Sequence, residues 1–414
     1  MEREIKAHDK NLRDLICLVI LALLPRIVYL SYKIHVHGGL PQAYDTKMFL
    51  DQAYAFINEG IVDKDFNGIF YVSFYSIVGL LLKVFRSTYI IVYIQMFVNA
   101  LTVMLVYKLG KEILNRRAAI ISGIIYSFLY PLIHWSIFIT TDSFFITLML
   151  LQSYLAVLCV KYKKRVNWLE LIIVSVYMIF FRPTGIITLV FTAFYLLINA
   201  DIKGFVRRHK KIVLAFSALF AVLLAVTVKI LINYPLTGSL ERNLYWLLTE
   251  IYSNGQMYDI KTPYDLKFNA KTPPGTDMVF ALTYFKYNFI NIMHLYLRRI
   301  LAFTGVWIWK LNTMSSLRIF MYFLFYGLAY VFLVVGIVDM FRQRLMRKGS
   351  IVLCMIFSIL IFTTIFFMDS AYRYRMPALV FVAFLIAQGV VAFWDFIKTL
   401  KVGKMHWKIL KKIY

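Results

Sequence analysis

The chain has 414 residues, of which 61% are hydrophobic, 17% aromatic and only 16% charged, with a mean hydropathy of +0.72. Soluble domains carry roughly 25% charged residues, so this composition excludes a soluble globular protein. A formal net charge of +25 would suit a nucleic-acid binder, but the basic residues lie in clumps between apolar runs of membrane-spanning length, and no nucleic-acid partner is expected.

The apolar runs recur from Leu15 to Phe396 and predict an all-α polytopic membrane protein, because lipid leaves every backbone polar group to be satisfied within its own helix. The first run, Leu15 to Leu30, follows a basic N-terminus; no small-residue cleavage site comes after it and Arg26 interrupts it, which predicts a retained helix rather than a signal peptide. Counting every run gives twelve spans and places the basic loop from Lys111 to Arg117 outside, against the positive-inside rule. Treating Ile69 to Phe85 and Leu295 to Leu311 as interfacial segments leaves ten, at 14–33, 88–109, 118–134, 142–160, 168–182, 184–200, 212–233, 319–341, 350–368 and 376–396.

Both termini are then cytoplasmic. The inner pieces 1–13, 108–117, 161–165, 201–211, 341–349 and 397–414 hold 27 basic residues against five acids, while the outer loops 34–67 and 234–294 hold ten acids and seven bases. The excess charge thus reads as an orientation signal for a multi-pass protein, with a bacterial cell membrane as the expected location. The chain is predicted to be one integral-membrane domain, 1–414, with a first extracytoplasmic loop and its interfacial helices over 34–87, and a late loop and interfacial segment over 234–311. Cys17, Cys159 and Cys354 fall inside spans, without disulfide or zinc spacing, and read as packing residues.

Function is sought in the outer loops. Pro41, followed by Phe49, Ala53, Phe56 and Ile57 on one face, predicts a short amphipathic helix on the membrane with Asp45 in its first turn. An acid there also fits simple complementation of the helix dipole. Asp51, six residues on and roughly 240° around, does not pair with it. Asp142 opens a span at the outer surface, with Thr140 or Thr141 as its cap. His35 and His37 with Asp45 form a weak metal motif on an irregular loop.

Arginine at membrane depth is more telling, because a charge there is costly and finds an anionic partner. Three outward places qualify: Arg182 before Pro183-Thr184-Gly185; Arg298-Arg299 before the aromatic segment Phe303 to Trp309; and Arg373 and Arg375 in the stretch Asp369 to Pro377 that joins the last two spans. Snorkelling to lipid headgroups is the competing explanation. Two acids and several guanidinium groups on one side are the parts needed to displace a phosphate leaving group from a lipid carrier.

At these residues the chain resembles the GT-C superfamily of membrane glycosyltransferases, especially the branch of protein O-mannosyltransferases and lipid A aminoarabinose transferases. The likeness rests on Tyr44-Asp45 with the helix after it, the segment Ile69 to Phe85, Asn115-Arg116-Arg117-Ala118-Ala119, Pro131 with Thr141-Asp142, Phe181-Arg182-Pro183-Thr184-Gly185, and Arg373-Tyr374-Arg375-Met376-Pro377. The chain departs from the aminoarabinose branch at Met48, where that branch has arginine, and in lacking its Lys-Pro-Pro. The resemblance implies a polyprenyl-phosphate-linked sugar donor, a lipid, glycan or protein acceptor, Asp45 as catalytic base and Asp142 nearby. It also leaves room for a divalent metal ion beside Asp45; the outward guanidinium groups themselves make Arg182, Arg299, Arg373 and Arg375 candidates for holding the carrier phosphate. The rival functions are a polysaccharide polymerase or ligase, and a lipid-linked sugar flippase or transporter. The latter would put paired charges and broken helices at the bilayer midplane, where this sequence has few.

Overall fold

The computed structural model describes residues 2–43, 45–60, 66–200, 278–305, 315–365 and 371–413, together with Leu248 and Tyr252. Every regular element among them is helical. In chain order these are α1 (Glu2–His37), α2 (Thr46–Glu59), α3 (Phe66–Phe70), α4 (Val72–Phe85), α5 (Thr88–Leu101), α6 (Val103–Ile113), α7 (Arg116–Phe128), α8 (Tyr130–Trp135), α9 (Asp142–Tyr162), α10 (Arg165–Ile179), α11 (Thr184–Asn199), α12 (Met278–Thr304), α13 (Ser316–Arg342), α14 (Met346–Ile365) and α15 (Ala371–Ile413).

Nine of the ten expected spans coincide with a described helix or with two consecutive ones, and the expected span 212–233 lies outside the described residues. Six stretches among the described residues are long and apolar enough to cross a membrane unaided: Asp9–His37, Thr88–Ile113, Asp142–Tyr162, Ile319–Arg342, Met346–Ile365 and Arg373–Thr399. The protein is therefore an all-α, multi-pass membrane protein. Helix α4, set aside as interfacial, has 14 residues and is about 21 Å long, short of the ~30 Å hydrocarbon thickness. Its Gly79 lets the backbone of α2 approach, since a Cβ there would lie 3.2 Å from the Ala53 carbonyl. Phe49 of α2 meets Phe74 of α4 edge-on at 5.0 Å.

Helix ends depart from expectation in four places. Helix α2 begins at Thr46 rather than Pro41, because a tight turn closes first: the Thr46 amide donates to the Ala43 carbonyl at 3.0 Å and the Ala43 amide to Thr46 Oγ1 at 3.1 Å. Helix α1 runs on to His37, so His35 and His37 occupy its exposed last turn and not an irregular loop. Helix α12 starts at Met278, inside the expected late loop, most of which lies outside the described residues. Finally, Arg373 and Arg375 belong to the first turns of α15 rather than to a connecting turn.

Helices α13 and α15 pack backbone to backbone. A Cβ at Gly389 would collide with the Phe332 carbonyl, and one at Gly336 with the Leu385 carbonyl, so neither position has room for a side chain. Polar groups gather at the two ends of the bundle. At one end Arg116 holds Asp14 through two bonds of 2.7 and 2.8 Å, Lys161 meets Glu112 at 2.7 Å, and Arg117 meets Asp395 at 2.7 Å. Asp14 lies about 30 Å along α1 from Lys33, near the opposite end, which matches the thickness of a bilayer.

Candidate active site

Four elements far apart in sequence bring two acids and two arginines together. Asp45 precedes the first turn of α2; its side chain makes no capping bond and turns instead to Arg373. Asp142 opens α9, as its position predicts, yet Thr141 supplies no side-chain cap, and the carboxylate turns into the protein. The strand of irregular backbone before it, 136–141, is buried. Buried backbone carbonyls need partners. Gln95 of α5 supplies two of them, donating to Ser136 at 3.1 Å and to Phe138 at 2.5 Å.

Arg182 sits in the turn between α10 and α11, where its amide donates to the Met178 carbonyl at 3.2 Å and its carbonyl accepts from Gly185 at 2.8 Å. Gly185 is required there: a Cβ would collide with the Met178 carbonyl. Arg373 comes from the first turn of α15. Pro377 has no amide to offer the Arg373 carbonyl, so the start of this helix is freer than its middle.

The four charges alternate in a line. Asp45 is held by Nη1 of Arg373; Nε of Arg373 donates to Asp142 at 2.6 Å; the other Asp142 oxygen accepts from Arg182 at 2.5 Å. Burial deepens inward from Asp45, whose side chain is 28% exposed, to Arg373 at 7% and then to Asp142 and Arg182 at 0% and 3%. Asp45 is thus the open end of a charge-balanced chain whose inner members are closed off from solvent.

Aromatic rings wall the chain. The Arg182 guanidinium lies 4.7 Å from the Tyr374 ring centre, and that of Arg373 lies 5.2 Å from Trp135. Contacts of this kind stabilise a guanidinium where water is scarce. Trp135 and Gln95 carry no distinguishing signal in the sequence, each being an aromatic or an amide within an apolar run, and Tyr374 enters there only as part of the Arg373 to Pro377 motif.

The other two candidate arginines stand elsewhere. Arg375 is two residues past Arg373, roughly 200° around the helix, so it faces away. It meets the Tyr326 hydroxyl at 3.3 Å and packs on Gly305. Arg299 donates to the Thr364 carbonyl at 2.8 Å and lies over Tyr252 at 4.9 Å. Among the described residues there is no group of three or more His, Cys, Asp or Glu side chains placed to hold a metal ion; Asp45 and Asp142 are each turned onto a guanidinium, and Asp51 is exposed on another face of α2.

Residues 72–230 match the family model described as dolichyl-phosphate-mannose-protein mannosyltransferase, which takes in Asp142 and Arg182 and ends short of Arg373. This match supports a membrane glycosyltransferase of the GT-C type and does not single out a branch of it. A search of curated proteins finds no match.

Proposed function

We propose that the protein transfers a sugar from a polyprenyl-phosphate donor to a hydroxyl of a lipid, glycan or protein acceptor on the extracytoplasmic face of the cell membrane, both termini being cytoplasmic, with Asp45 as general base. The observation that carries this reading is the graded burial of the ion-pair chain. Asp142 and Arg182 anchor Arg373, Arg373 fixes one oxygen of Asp45, and the partly exposed carboxylate can accept a proton at the other. As the acceptor oxygen bonds to the anomeric carbon, its proton passes to Asp45. The bond from that carbon to the phosphate oxygen breaks, and its electron pair leaves with the polyprenyl phosphate.

In this reading Arg373 positions the base, and Asp142 with Arg182 positions Arg373. Asp45→Asn keeps size and shape while removing the base, and its transfer rate should fall about 10²–10⁴-fold. Asp51→Asn, on the exposed face of α2, should retain wild-type turnover in the same assay with purified protein and a panel of polyprenyl-phosphate sugars. Normal turnover by Asp45→Asn would overturn the assignment.

A further inference from the structure

A departing polyprenyl phosphate needs a counter-charge, and the candidate arginines are closed off. Arg182, Arg299, Arg373 and Arg375 are 3%, 1%, 6% and 4% exposed, and the first and third are balanced by Asp142 and Asp45. One ring away from Arg373 a different set of groups converges.

Tyr29 and Lys33 on α1, and Tyr130 and His134 on α8, are two pairs of residues four apart, so each pair shares a helix face. The faces meet. The Tyr29 hydroxyl lies 2.6 Å from His134 Nδ1 and 3.4 Å from the Tyr130 hydroxyl. The His134 ring stacks on Tyr130 with centroids 5.7 Å apart, and also meets Tyr29 at 5.8 Å, Trp135 at 5.3 Å and Phe138 at 5.1 Å. Lys33 Nζ lies 5.7 Å from the centre of the Tyr29 ring, whose hydroxyl meets His134. Lys33 makes no ion pair with a carboxylate among the described residues.

Hydrogen-bond logic then sets what the cluster can bind. In the tautomer that the proposed site requires, the Tyr29 hydroxyl donates to Nδ1 and the neutral imidazole carries its proton on Nε2 and offers a donor; in the other, Nδ1 donates to Tyr29 and Nε2 accepts. Lys33 adds an ammonium group, and the Tyr130 hydroxyl, on a residue 60% exposed and only loosely held at 3.4 Å from the Tyr29 oxygen, adds another donor when its one proton turns from Tyr29 to the ligand. These are the requirements of a phosphate group. Lys33 is one turn from the end of α1, where headgroups lie, and the exposed apolar residues Val28, Tyr32 and Val36 flank it along the helix as a path for a hydrocarbon chain. Trp135 connects the cluster to the reaction centre, touching His134 on one side and Arg373 on the other.

We infer that Lys33, Tyr130 and His134 form the site for the phosphate of the lipid-linked donor, with Tyr29 fixing the imidazole; this rests on the transfer reaction proposed above. The site gains in strength as the reaction proceeds. The sugar-linked phosphate carries one negative charge and the released carrier phosphate approaches two, so the ammonium and hydrogen bonds hold the leaving group more tightly than the substrate.

The test uses the purified full-length protein in lipid nanodiscs, with farnesyl phosphate as probe and farnesol as its uncharged counterpart. Wild type should bind farnesyl phosphate much more tightly than farnesol. Lys33→Gln should weaken that binding about ten- to a hundredfold, with farnesol binding unchanged and Lys33→Arg restoring most of the loss. Tyr130→Phe, at an exposed position, should weaken it severalfold without disturbing the fold. Wild-type affinity in Lys33→Gln would overturn the inference. So would equal competition by phosphatidylglycerol, which marks a general headgroup site, or by inorganic phosphate, which marks a free-anion site. The two proposals fail separately: Asp45→Asn should bind farnesyl phosphate normally while losing transfer, and normal transfer by Asp45→Asn beside weak probe binding by Lys33→Gln would sink the base and leave the phosphate site standing.

Discussion

Asp45 and Asp142 are the same residue type in two opposite situations, and burial decides what each does. Asp142 is enclosed between two guanidinium groups, so Asp142→Asn removes the counter-charge that lets Arg182 and Arg373 stay inside. Breaking a buried pair from one side costs about 3–5 kcal/mol, and the variant should melt well below wild type in a detergent thermal-stability assay. Asp45→Asn, losing only a partly exposed contact, should melt close to wild type while failing at transfer. Both acids were legible in the sequence from their places on the outer side, and the arginines from standing against the positive-inside tendency. Their pairing was not. Asp45 and Arg373 are 328 positions apart, and which of two alternating arginines faces inward depends on a helix phase that a sequence with an uncertain helix start does not define.

At the scale of elements, close backbone approaches set the geometry. Gly389→Leu would force α13 and α15 apart at the Phe332 carbonyl, an overpacking that costs roughly 1–3 kcal/mol or more. Gly327→Ala on the same α13 has open space around the new methyl and should be neutral or gain about 0.5–1 kcal/mol of helix stability, measured by the same melting assay. Gly185→Ala strikes the turn that carries Arg182, so it should cost both stability and transfer. Apolar runs located these helices, because lipid exposure demands long hydrophobic stretches. Their ends were harder to read. The turn at Ala43 to Thr46 is closed by a threonine side chain, and α15 begins upstream of its apolar run because buried arginines occupy its first turns.

On the scale of the whole molecule, the two polar ends predict sidedness. In a background where Cys17, Cys159 and Cys354 are replaced, a cysteine at Lys163, in the turn between α9 and α10, should resist an impermeant thiol reagent in intact cells. One at Asp51, exposed on α2, should react. Labelling in the reverse pattern would invert the topology and put the acid and arginine chain on the cytoplasmic side. The sequence carried this orientation in its loop charges, since translocating lysine and arginine is what the membrane resists.

The chain of charges also has an order in time. Synthesis runs from Asp45 to Asp142, then to Arg182 forty positions later, and to Arg373 only in α15, the last helix among the described residues. Asp142 therefore gains its first partner while the bundle is half made, and the nascent protein can be inserted without a bare buried acid. Asp45 waits until α15 leaves the ribosome. A chain cut short before Ala371 carries a partnered Asp142 but leaves Asp45 without Arg373, so the proposed base gains its support only once α15 is made.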